Sequence, residues 1–469
     1  MEEHQERRNG GEKEGGQPSR NSGQTGLEPE EYRIDIFEIS HRNWIESLRT
    51  AEESTRSQSQ WPRIPKVPQM LRGTQDFKKF YEPGLISIGP YHHGKPHLHA
   101  GEIIKRLCAR KFLADSEQDM DALYTKIQSN IEAVRTCYDM IPTNKYDDEK
   151  LARMMLLDGC FLLQFFCGQG NENFLRCHQL FFAELDSFML ENQLPFRVLK
   201  LIFEGANFKG PVEKKIKKFV TSTLWPERST SETELEEDEE PSHLLALLRS
   251  TLLGRQPEKK EKSSSCQGGD GRSCCPWKKG QKRGFSRSFR NVKELKVAGI
   301  HLQPSGTSFL RDVSFNSYFF YGCMNLPPII VDDFTKPKFL NIVAYEMCPD
   351  APDDYAVTSY VCFLYELIDH ADDVKELRSK HILYNCLGSD EDVAKIFNEI
   401  GNGLVDPDAY KEVKTSIQKH YDKRGNTWIA EGLHEHFRSP WTIIAFIAAV
   451  LILLLTGFQT YFALPAKPK

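Results

Sequence analysis

No apolar leader opens this chain: residues Met1 to Gly10 are polar and charged. The first expectation is therefore a body made without a secretory signal, its thiols kept reduced. Nor is there an excess of either charge. The 61 basic and 66 acidic residues leave a formal net charge of -5, a near balance that argues against nucleic acid as a partner. The 12 cysteines are scattered along 469 residues, too thinly for a disulfide framework. Catalytic signatures are missing as well. No nucleophile elbow, P-loop, dinucleotide fingerprint or HExxH motif occurs, so no enzyme, cofactor or metal is expected.

What is present is the composition of a folded body, 39% hydrophobic and 27% charged, with a mean hydropathy of -0.50. Those values exclude a multi-pass membrane protein and a wholly disordered chain. One long uncharged run stands apart, WTIIAFIAAVLILLLTGF from Trp441 to Phe458. At ~1.5 Å per residue it would rise about 27 Å, close to a hydrocarbon core. Pro440 suits its start, and Trp441 and Tyr461 sit where aromatic rings favour headgroups. The expectation is a single transmembrane helix over 441–463, with Trp441, Phe446, Leu455 and Phe458 among its anchor residues. A short tail, 464–469, follows, and the body lies on the cytosolic side of a plasma or internal membrane.

The remaining organisation follows from pattern. Residues 1–60 read as a disordered tail and 61–440 as one globular domain, interrupted at 226–290 by a charged, flexible insertion around one short apolar docking helix, His243 to Leu253. LISIGPYHHG (85–94) reads as a strand running into a turn. LARMMLLDGCFLLQFFC (151–167) and ELDSFMLENQLPFRVLKLIF (184–203) are apolar nearly all round and read as central core helices. Asn291 and Ser389 are N-cap candidates; strands are expected at Phe309 to Phe315 and Pro328 to Val331. Helices are expected at about 336–347, 354–370, 390–400 and 408–422. The fold class is mainly α with a minor β component, an α+β body carrying one C-terminal transmembrane helix.

Several polar residues stand inside apolar runs. Asp158, Glu191, Asn192 and Gln193 need buried partners, for which Arg197 or Arg249 are candidates, with a kink before Pro195. They serve either a structural network or a polar pocket. His92 and His93 would point to opposite faces of a strand, which disfavours one shared metal ion. Gly89, Pro90 and Gly94 suggest that these imidazoles fix a turn. Cys160 could be assembled into a triad on paper, but it lies in the most apolar segment. Cys274 and Cys275, beside Lys278 and Lys279, are candidates for S-acylation.

The motifs IPKVPQMLR (64–72), SIGPYHHGKPHL (87–98), LLDGCFLLQFF (156–166), LENQLPFRVL (190–199), LPPIIVDD (326–333) and LGSDEDVAKIFN (387–398) resemble, in this order, the plant domain of unknown function 247 family. So do HLLALLR, VKELKVAGI, SYVCFLYELID and the SPW-plus-apolar tail. The resemblance implies a plant protein anchored by its C-terminus, with no established enzymatic chemistry. Some grass members of that family are linked to self-incompatibility, a recognition role. Gly89, Pro90, Tyr91, His92, His93, Gly94, Asp158, Glu191, Asn192, Gln193 and Pro195 are its motif residues of unknown role. The insertion, with Cys266, Cys274 and Cys275, is where this chain departs, and where partner specificity would most easily vary. The function expected is thus recognition of protein partners by a membrane-anchored body with no known small-molecule ligand. The alternatives are a hydrolase or transferase with a pocket near Glu191 and His92 or His93, and a structural membrane scaffold.

Overall fold

A computed structural model describes residues 63–73, 76–139, 143–167, 174–204, 211–225, 240–254, 291–319, 321–349, 351–422 and 440–463. The disordered tail, the two cysteines proposed for acylation and most of the insertion lie outside these residues.

The chain enters through two short helices, α1 (Gln69–Arg72) and α2 (Phe77–Tyr81). Extended backbone then leads to α3 (His99–Ser116), α4 (Met120–Gln128), α5 (Ile131–Arg135) and α6 (Asp148–Cys167). Helix α6 is the centre of this part. It packs on α3, α4, α8 (Phe196–Phe203) and α9 (Val212–Ser222). Its side chains from Leu151 to Phe165 are buried on nearly every face, as an apolar run without a polar stripe demands. Between α6 and α8 lies α7 (Cys177–Asp186). The single helix expected over 184–203 is corrected: α7 ends at Asp186, and residues 187–195 form turns before Pro195 opens α8. Proline cannot donate the amide that a continuous helix needs.

Helix α10 (Leu244–Leu253) falls within the insertion read from the sequence, yet it is a core element, with Leu245, Leu247, Leu248 and Leu252 buried. Next come α11 (Val292–Val297), capped by Asn291 as expected, and the strands β1 (Ile300–Pro304), β2 (Ser314–Ser317), β3 (Gly322–Leu326) and β4 (Ile329–Val331). Strand β3 is central, parallel to β1 and antiparallel to β2. The strand expected from Phe309 begins only at Ser314, and β1 was not foreseen.

Helices α12 (Thr335–Glu346), α13 (Ala356–Leu367) and α14 (Ala371–Ser379) precede β5 (Leu383–Asn385), which pairs parallel to β4. Helices α15 (Asp390–Gly401) and α16 (Lys411–Asp422) complete the body. Ser389 caps α15 by accepting from the Asp392 amide. Glu346, buried at the end of α12, accepts the Val357 and Thr358 amides at 3.1 and 2.7 Å and so closes the start of α13. The architecture is mainly helical with two small sheets.

The expected transmembrane helix is corrected. Among the described residues no helix is long and apolar enough to cross a membrane. The segment does form a helix, α17 (Pro440–Ala463). Of the residues named as anchors, Phe446, Leu455 and Phe458 stand exposed, and the Trp441 side chain lies outside the described residues.

Candidate functional site

Two of the polar motif residues, Asp158 and Asn192, meet on one segment, residues 84–89. Its sequence is that of a strand, yet it is unpaired extended chain, and its buried peptide groups need other partners. Side chains supply them. Asp186, the last residue of α7, accepts from the amides of Gly84 at 2.9 Å and of Leu85 and Ile86 at 2.8 Å. Asn192 accepts from the Ile88 amide at 2.7 Å and donates to the carbonyls of Ile86 and Asp186, both at 2.9 Å. Asp158 accepts from the Gly89 amide at 2.8 Å, and Lys105 donates to the Ser87 carbonyl at 2.8 Å. Four side chains from α3, α6, α7 and the α7–α8 turns thus do the work of a neighbouring strand.

Lys105 and Asp158 form a fully buried ion pair at 2.6 Å, with Glu102 at 2.5 Å as a second carboxylate on the ammonium. Burial works against both charges and pushes the Asp158 carboxyl up. For Lys105 burial is outweighed by the two carboxylates, and the ammonium is held above its ordinary range.

Two glycines make this packing possible. Gly89 has φ 72°, and a Cβ there would meet the Gln193 carbonyl at 2.9 Å. At Gly101 on α3 a Cβ would lie 2.1 Å from the Leu85 carbonyl. Only hydrogen at these positions lets the segment lie against the helix and the turn.

Glu191 performs a parallel task for Val67 and Arg72. It accepts from the Val67 amide at 2.8 Å and pairs with Arg72, which also donates to the Val67 carbonyl at 3.1 Å. Burial raises its carboxyl, and Arg72 pulls the other way. Gln193 donates to the carbonyls of Ser187 and Met189, both at 2.8 Å, and accepts from Leu245 at 3.0 Å, joining the turns to the start of α10. The partners expected for these groups are corrected. Arg249 instead donates to Glu346 at 2.7 Å and pairs with Asp354, and Arg197 donates to Asn130 at 3.1 Å.

The histidines lie in a turn and face different carboxylates. His92 Nε2 is 3.6 Å from Glu191 Oε2, and His93 Nδ1 is 3.9 Å from Glu102 Oε1. Burial, with Lys95 nearby, drops His92 to about 3, so its imidazole is neutral. Tyr91 donates to the Ile64 carbonyl at 2.7 Å and accepts from the Asp139 amide at 3.0 Å. Pro90 is buried and Gly94 exposed. Among the described residues no three His, Cys, Asp or Glu side chains are placed to share a metal ion.

Glu191 and His92 do meet, as the pocket reading requires, and both are buried. A cavity of about 370 Å³ lies at the far end of the segment, beside Gly84 and Asp186. It is bounded by Lys78, Lys79, His97 and Phe182, among others. Cys160 lies buried in α6, where burial pushes its thiol up to about 12, opposite to what a nucleophile needs.

Sequence reasoning missed Arg72, Lys105, Asp186 and Asn341, whose side chain accepts from the Leu190 amide at 2.9 Å. For Lys105 the signal existed. It shares the buried stripe of α3 with Gly101, Cys108 and Phe112, where a charge is costly unless paired.

Comparison with known proteins bears on the same residues. The family described as a plant protein of unknown function matches residues 64–455, a span that holds the whole network. The UPF0481 protein At3g47200 of Arabidopsis thaliana is 27% identical over 422 residues, covering 82% of this chain and 83% of that protein. The putative UPF0481 protein At3g02645 of the same plant is 24% identical over 474 aligned residues, covering 81% and 86%. No solved structure matches the chain. Matched by that family over residues 64–455, most of its length, the chain belongs to the plant domain of unknown function 247 family.

Proposed function

We propose that the protein recognises other proteins and is not a catalyst. The observation that carries this reading is an aromatic tip between β2 and β3. Tyr318, Phe319 and Tyr321 stand 49%, 78% and 43% exposed, and the two tyrosine rings stack at 4.8 Å. Large aromatic side chains are enriched at the energetic centres of protein interfaces, where they give much contact area for little lost entropy. The motif residues support the same reading from the other side. The side chains of Asp158, Asp186, Glu191, Asn192 and Gln193 are spent on the protein's own backbone, so the most distinctive polar groups build the body and leave the surface to select.

Proximity labelling in plant cells tests the reading, with the full chain compared with a Tyr318→Ser, Phe319→Ser, Tyr321→Ser variant. A reproducible set of labelled proteins that disappears with the variant is the expected result. An empty set, or one unchanged by the three substitutions, would overturn it.

A further inference from the structure

The cavity beside Gly84 has a floor and a rim of different chemistry. Pro83, Phe182, Leu185 and Met189 supply apolar surface, and Lys78, Lys79 and His97 supply basic groups. Its two carboxylates are already engaged. Glu82 pairs with Lys95 at 2.9 Å, and Asp186 is saturated by three main-chain amides. Among the described residues neither Lys78 nor Lys79 has a carboxylate partner; Lys79 lies over the Phe80 ring at 5.1 Å. A volume of about 370 Å³ falls within the range of small-molecule sites, which are mostly apolar with a few polar groups that fix orientation. Phe182, 43% exposed, is a large apolar ring at the mouth.

We infer that this cavity binds a small organic carboxylate with an apolar aromatic or alkyl body. The body lies on Phe182, Leu185 and Met189, and the carboxylate faces the ammonium groups of Lys78 and Lys79. An anion is favoured because the unspent charges at the mouth are positive. The inference stands apart from the aromatic tip, which lies on other elements.

Photolabelling of the full chain with 4-benzoylbenzoate, an aromatic carboxylate, tests it, with the adduct located by peptide mass spectrometry. Labelling is expected between Phe182 and Met189, suppressed by excess decanoate but not by equal inorganic phosphate. A blocking variant, Gly84→Trp, should lower it by about tenfold or more, since a Cβ at Gly84 meets only the Phe182 ring, at 3.6 Å, and larger bulk enters the cavity. Charge reversal by Lys78→Glu with Lys79→Glu should have a similar effect. Equal labelling of these residues by uncharged benzophenone would overturn the inference. So would labelling unmoved by charge reversal, adducts confined to other segments, or equal competition by phosphate. Should Gly84→Trp fail to fold, the double lysine variant decides alone, both side chains being exposed.

Discussion

Residues 84–89 and strand β3 are both short extended segments, and their backbones are satisfied by different means. Strand β3 lies between β1 and β2 and is paired along its length with the peptide groups of its neighbours. Peptide groups are present whatever the side chains, so such a ladder tolerates sequence change. Segment 84–89 instead depends on Asp186, Asn192, Asp158 and Lys105, each serving between one and three of its peptide groups. A cluster of buried acids and amides in a sequence invites an active-site reading. Here it replaces a missing strand, and the difference lies in what the oxygens bind: backbone amides.

This contrast can be broken or sharpened by measurement. The largest effect is expected from Lys105→Met, which leaves Asp158 buried without its cation. Removing one partner of a buried pair costs about 3–5 kcal/mol, and urea denaturation of the variant should show a loss of that order. A loss near zero would mean that the pair does not hold the segment.

A smaller effect concerns pH. Burial lowers His92 and His243 to about 3, below the ordinary 6.5. Each therefore contributes stability that is present at neutral pH and lost as pH falls below about 6.5 towards 3. Asp186 runs the other way. Burial lifts its carboxyl to about 6, so folding takes up a proton there and stability rises as pH falls from 6 towards 3.8. The slope approaches about 1.4 kcal/mol per unit for each fully protonated unfolded histidine, and the raised carboxyls of Asp186, Asp158 and Glu191 act against it. Denaturation curves from pH 7 to 5 should thus differ between the parent and His92→Gln, with the parent losing more, or gaining less, stability on acidification. Equal slopes for the two proteins would contradict this assignment.

The smallest effect is expected from Asn316→Ala on β2. That exposed residue pairs through its backbone with Cys323, and the change should stay within about 0.5 kcal/mol. A loss comparable with that of Lys105→Met would erase the distinction between ladder and side-chain support.

How much was legible in the sequence follows the same division. Ser389 and Asn291 announced their helices because a cap acts within three residues, on Asp392 and Glu294. Helix α6 was legible because an uninterrupted apolar run can only be buried. The stretch 184–203 misled because its apolar content is equally high, yet Asn192 and Gln193 turn their amides onto nearby carbonyls and end the helix. Residues 85–88 misled because alternation marks extended chain but not what lies beside it. At the C-terminus, apolar composition suggested a span, whereas among the described residues no helix is long and apolar enough for one.

Taken alone, the sequence determined the family motifs, the mainly helical character and the local caps, all of which depend on neighbours within a turn or two of chain. Only the tertiary structure decided the partners of the buried charges. Val67 meets Glu191 across 124 positions of sequence, and Arg249 meets Glu346 across 97. The physical reason is that a buried charge must be paired, and the sequence states that need without naming the partner, which packing alone brings within reach.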